Sequence, residues 1–62
     1  MITYKKANKT SIEVFLDGNF IGKIVELLNG YHQYIPKGIL NPKGWSDEYP
    51  TVKDCKESIE ED

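Results

Sequence analysis

The chain has 62 residues, 39% of them hydrophobic, and a net charge of −2. That length allows one domain with one modest core and a stability on the order of 3–5 kcal/mol, and it excludes a deep enclosed pocket. The charge is polarised: residues 1–46 hold six Lys against Glu13, Asp17 and Glu26 (6 − 3 = +3), and residues 47–62 hold Lys53 and Lys56 against seven acids (2 − 7 = −5).

Ile2-Thr3-Tyr4 is short, alternating and β-prone, and "KKANKT" reads as a polar turn after it. "SIEVFLDGNFIGKI" is a hairpin signal, with Asp17-Gly18 between two apolar runs. A three-residue loop over Asp17–Asn19 is expected there. It aligns Ile12, Val14 and Leu16 with Phe20 and Ile24 on one face and sets Glu13 opposite Lys23 on the other. A second hairpin is expected at Asn29-Gly30, pairing Leu28 with Tyr31 and Val25 with Tyr34. Pro36 lacks a backbone donor and ends that strand. Residues 1–36 thus read as an antiparallel meander of three strands, with Ile2–Tyr4 a candidate fourth.

Residues 37–50 form a Gly- and Pro-rich loop. "PKGILNPKGW" repeats Pro-Lys-Gly, which fixes φ at proline and frees it at glycine, the chemistry of two tight turns. Thr51 is a natural N-cap, with Asp54 as its capping-box partner. Val52, Cys55 and Ile59 then make one apolar stripe, so residues 51–61 read as a helix docked on one face of the sheet. The expected fold class is α+β in a single domain.

Chemistry is sparse. His32 and Cys55 do not fill a tetrahedral zinc site, and Cys55 on the apolar stripe reads as a small core residue. No cofactor, metal or catalytic group is expected. Arg is absent, which counts against sequence-specific DNA reading. One cysteine forms no internal disulfide, no apolar run approaches a membrane span, and "MITYKKANKT" lacks a signal-peptide core. The chain starts at Met1 and is expected to be a whole product in a reducing cytoplasm.

The residues left for contact are Lys37, Lys43 and Trp45 on the loop, and Glu57, Glu60 and Glu61 at the acidic helix end. Phe15 and Tyr34 are expected on the sheet face that the helix leaves open. "VFLDGNFIGKI", "GYHQYIPKG" and "YPTVKDCKESIE" follow one another in a layout that resembles small β-β-β-α modules. Among these are the arm-binding domains of phage integrases, their AP2-type relatives and short phage and prophage proteins. The resemblance is one of layout and transfers no functional residue. It implies a non-enzymatic, phage-borne inhibitor or modulator that binds a host or defence protein. In that case the host cytoplasm is its compartment, and a homodimer is a further possibility. The alternative is a nucleic-acid accessory protein that stacks bases on the open sheet.

Overall fold

Asp17 and Gly18 both take positive φ, 50° and 86°, the geometry of a two-residue type I′ turn. In the computed structural model, which describes residues 1–61, this turn joins the second and third strands of a four-stranded antiparallel sheet. The strands are β1 (Ile2–Asn8), β2 (Ser11–Leu16), β3 (Asn19–Glu26) and β4 (His32–Pro36), in the spatial order β1-β2-β3-β4. One helix, α1 (Val52–Glu60), closes the fold. The expected α+β meander is therefore present with its fourth strand. That strand runs on to Asn8, through the lysines expected to lie in a turn.

The β2–β3 register reconciles two alternatives. Next to the turn Leu16 pairs with Asn19 and Phe15 with Phe20, as a two-residue loop requires. Beyond a bulge, Val14 pairs with Gly22, Glu13 with Lys23 and Ile12 with Ile24, as a three-residue loop would give. Ile21 is the extra residue. It turns toward the core, while Phe20 moves to the opposite face and meets Phe15 edge-to-face at 5.8 Å. The expectation that Phe20 shares a face with Val14 is corrected by this bulge.

The β3–β4 connection also differs from expectation. Leu27 N–H donates to the Tyr31 carbonyl, so the loop has three residues, Leu28 to Gly30, with Gly30 at φ 84°. The Asn29 side chain accepts from Tyr31 N–H and holds the turn. Tyr34 therefore faces Ile24, not Val25. A one-residue slip carries every side chain of β4 across the sheet. Tyr34 and Ile21 pack on the helix side, and Ile35 goes to the open side.

The core is Val14, Ile24 and Cys55, all fully buried, with Ile12, Ile21, Tyr34, Tyr49 and Ile59 packed around them. Thr51 caps α1 by accepting from Asp54 N–H at 3.1 Å, which forms one half of the expected capping box. Cys55 and Ile59 supply the docking stripe, as the spacing requires. The helix lies beside β4, where Tyr49 bridges His32, and reaches β1 through side chains of its last turns, where Glu60 accepts from the Tyr4 hydroxyl at 2.7 Å. Among the described residues no helix is long and apolar enough to cross a membrane.

Gly22 is where β3 and β4 meet most closely. A Cβ there would lie 2.6 Å from the Ile35 carbonyl oxygen and 2.7 Å from the Tyr34 ring. The carbonyl belongs to the ladder and cannot move without breaking it. Gly22→Ala is expected to cost about 2 kcal/mol in urea denaturation, as overpacking does. Ile59→Ala, at a half-buried position, is expected to cost about 1–2 kcal/mol. A loss below ~0.5 kcal/mol there would refute helix docking.

Candidate functional site

Antiparallel order places the start of β1, the end of β2, the start of β3 and the end of β4 at the same end of the sheet. Five of the seven large hydrophobic side chains that remain exposed, Met1, Leu16, Phe20, Ile39 and Leu40, collect there. The other two, Leu28 and Tyr31, flank the opposite turn. The cause is simple geometry. A nine-residue helix is about 14 Å long and leaves part of its own face and all of the other bare. Exposed apolar surface gathered in one place is the mark of a contact site.

The loop after β4 shapes this end. The first Pro-Lys-Gly is a turn in which Ile39 N–H donates to the Pro36 carbonyl at 3.2 Å and Gly38 takes φ 79°. The second is a short 3₁₀ turn, Pro42–Gly44, capped by the Asn41 side chain, which accepts from Lys43 N–H at 3.0 Å. Its glycine serves packing, because a Cβ at Gly44 would lie 2.5 Å from the Ile39 side chain. The Trp45 indole N–H then donates to the Ile39 carbonyl at 2.9 Å. The same triplet thus bends the chain once and lets it pack closely once.

These bonds build a cleft of about 430 Å³ on the open side of the sheet. Phe20, Ile35, Ile39, Leu40 and Trp45 line it, with Lys23 and Lys37 beside them. Leu40 is 90% exposed within it. Around the same end, on the helix side, Met1, Ile2, Leu16, Ile21 and Ile59 line an open groove of about 940 Å³.

The expected contact residues do not form one site. Lys37, Lys43 and Trp45 belong to the loop beside β4, with both lysines exposed and Trp45 half-buried. Glu57, Glu60 and Glu61 are exposed at the far end of α1, over β1. Trp45 lines the cleft on the open side of the sheet and Glu60 lines the groove on the helix side, so the two belong to different surfaces. Asp62, the last residue of that acidic run, lies outside the described residues. Phe15 stays on the open face. Tyr34, expected there, is on the helix side, where its hydroxyl donates to the Ile21 carbonyl at 2.9 Å. On the open face Lys5, Glu13 and Lys23 line up across three strands, so an acid interrupts the lysines around Phe15.

Sequence reasoning missed Phe20, Ile39 and Leu40 as site residues. Ile39-Leu40, an apolar pair inside a Gly/Pro loop, was the signal available. No protein-family model, curated protein or solved structure matches the chain.

Cys55 shows why position outweighs the helix dipole. It lies in the first helical turns, where the dipole favours thiolate. Full burial opposes this and pushes its pKa from 9.0 up to about 11. Burial also raises Tyr34, and it raises Tyr4 together with the hydrogen bond to Glu60. Each of these groups is neutral when protonated and holds its proton more tightly when folded. The contribution of Cys55 to stability is therefore complete below about pH 9 and is lost as pH rises through 9.0 toward 11, and the two tyrosines act in the same direction. Cys55→Ala should flatten part of that alkaline slope. Native Cys55 should react with a thiol reagent far more slowly than the denatured chain at neutral pH, and rapid native labelling would contradict its burial.

Proposed function

We propose that the chain is a small non-enzymatic module that binds another protein through its apolar end. The observation that supports this reading is the preformed cleft between β3 and the Pro36–Trp45 loop. A hydrogen-bonded indole, a capped 3₁₀ turn and a Gly44–Ile39 contact fix the cleft before any partner arrives. Little loop entropy is then lost on binding. Trp45 and Phe20 supply aromatic anchors of the type that dominates interface energetics. Lys23, Lys37 and Lys43 supply charge around them, so the partner segment carries an apolar anchor flanked by Asp or Glu. Occupying such a segment on a partner is the action of an inhibitor or modulator.

A peptide-display selection on the immobilised protein tests this. Enriched peptides should pair an aromatic or aliphatic residue with acids and should change the emission of Trp45, the chain's single tryptophan. Binding should weaken at least ~10-fold in Leu40→Asp, a loss of about 1.4 kcal/mol. Leu40 is exposed, so that variant should keep its fold. Enriched peptides that bind Leu40→Asp and Phe20→Asp as tightly as the native chain would place the contact elsewhere.

A further inference from the structure

The two edges of the sheet differ. On β4 the outward backbone groups are taken. His32 N–H donates to the Tyr49 carbonyl at 2.7 Å and Tyr49 N–H returns the bond at 2.8 Å. Tyr34 N–H donates to the Ser46 hydroxyl at 2.8 Å, and Ser46 N–H donates to the Tyr34 carbonyl at 3.0 Å. Among the described residues β1 has no equivalent bonds. Asp17 N–H donates to the Met1 carbonyl, so Met1 and Asp17 are a hydrogen-bonded pair. Antiparallel alternation makes Thr3 and Lys5 the next residues bonded to β2, through Phe15 and Glu13. Ile2, Tyr4 and Lys6 therefore point their N–H and C=O groups outward. Among the described residues none of these six groups has a backbone partner.

Charge is graded along that edge. Lys5, Lys6 and Lys9 lie toward its C-terminal end. Its N-terminal end lies under the acidic end of α1, where Glu60 accepts from the Tyr4 hydroxyl and joins Met1 and Ile2 around one groove. Lys6 at one end and Glu60 at the other, beside a Met1 ammonium paired with Asp17 and with Lys56 against the Tyr4 ring, exchange places when the edge is turned through a two-fold axis. Three outward residues centred on Tyr4 fit the same operation.

We propose that the β1 edge pairs with the β1 edge of a second copy, antiparallel about a two-fold axis through Tyr4. Tyr4 then lies opposite the partner's Tyr4, and Ile2 opposite the partner's Lys6. Six backbone hydrogen bonds close the seam and the two sheets become one of eight strands. Lys6, on the helix side of the sheet opposite Ile12, comes beneath the acidic helix end of the other copy, which removes the repulsion that an edge lysine normally presents to a second strand. Lys5 faces the partner's Thr3 and not another lysine. Self-complementarity of one patch is what a two-fold interface requires. The pairing leaves the Pro36–Trp45 cleft at the β4 edge free, and the antiparallel seam places the two clefts at opposite poles of the pair.

Sedimentation over a concentration series should show a monomer–dimer equilibrium with Kd between about 1 µM and 1 mM. Hydrogen exchange read at single amides should show Tyr4 and Lys6 gaining protection as concentration rises, while Thr3 and Lys5 are protected throughout. Lys6→Glu should be monomeric, and so should Glu60→Lys/Glu61→Lys. An equimolar mixture of the two variants should dimerise again, because each then meets its opposite charge. A native chain that stays monomeric at ~1 mM overturns the proposal. So does a dimer that both charge variants retain alone, or one abolished by Leu40→Asp, which would assign self-association to the apolar end. Folding of each variant is checked by its circular dichroism, and the mixing arm separates lost pairing from lost structure.

Discussion

One inserted residue, Ile21, holds the architecture together. Paired without a bulge, the same residues would set Ile21 opposite Val14 and Lys23 opposite Ile12, beneath the helix. The bulge confines that register to the turn and restores the pairing of Ile12 with Ile24 beyond it. The Ile21 carbonyl then accepts twice, from the Tyr34 hydroxyl at 2.9 Å and from Lys37 N–H at 2.9 Å. The first bond fixes Tyr34 over Gly22. The second fixes where the loop leaves the sheet. The turn pairs Phe20 with Phe15 on the open face, where it walls the cleft, and the bulge then re-aims Ile21 toward the core. Bulges commonly re-aim a side chain in this way.

The apolar end follows from a second constraint, the ratio of helix to sheet. Four strands present two faces, and a nine-residue helix covers part of one. A chain this small has nothing further to spend on coverage except its loop. Trp45 closes over Ile35 at the β4 edge, and the bulk of Leu40 and Phe20 is left in solvent. Leaving five large hydrophobics exposed at one end gains the fold nothing, and scattering them would carry less risk of aggregation. Their collection beside a hydrogen-bonded loop is a structural reason to treat that end as a contact surface.

The sequence carried the fold class because its signals were local. Asp17-Gly18 and Asn29-Gly30 announce turns, Pro36 announces a strand end, and Thr51 with the 52–55–59 stripe announces a capped, one-sided helix. What it did not carry was register. Both hairpins are ambiguous by one residue, and one residue decides the face. Tyr34 and Phe20 exchanged sides for that reason, so the expected open-face site held one wrong aromatic and lacked another. The extent of β1 was hidden as well. Lys5 and Lys6 look like turn residues, yet an edge strand tolerates them because their ammonium groups stay in water while the backbone pairs. Trp45, Lys37 and Lys43 were legible as loop residues. Their separation from Glu57, Glu60 and Glu61 was not, because it depends on which side of the sheet the loop and the helix each reach.

The charge asymmetry of the sequence acquires a spatial meaning from where the helix ends. Read linearly, the positive first part and the negative last part suggest two separate surfaces. The helix folds the negative part back across the sheet until Glu60 meets Tyr4 and Lys56 lies 4.5 Å from the same ring. The acids at the C-terminal end of a helix oppose its dipole and weaken it. Here they end beside a strand whose next residues are lysines, so the local cost has a positional counterpart. Neither end of that strand is a surface by itself. A gradient along an open backbone edge is different, because the only symmetric object that completes it is the same edge reversed.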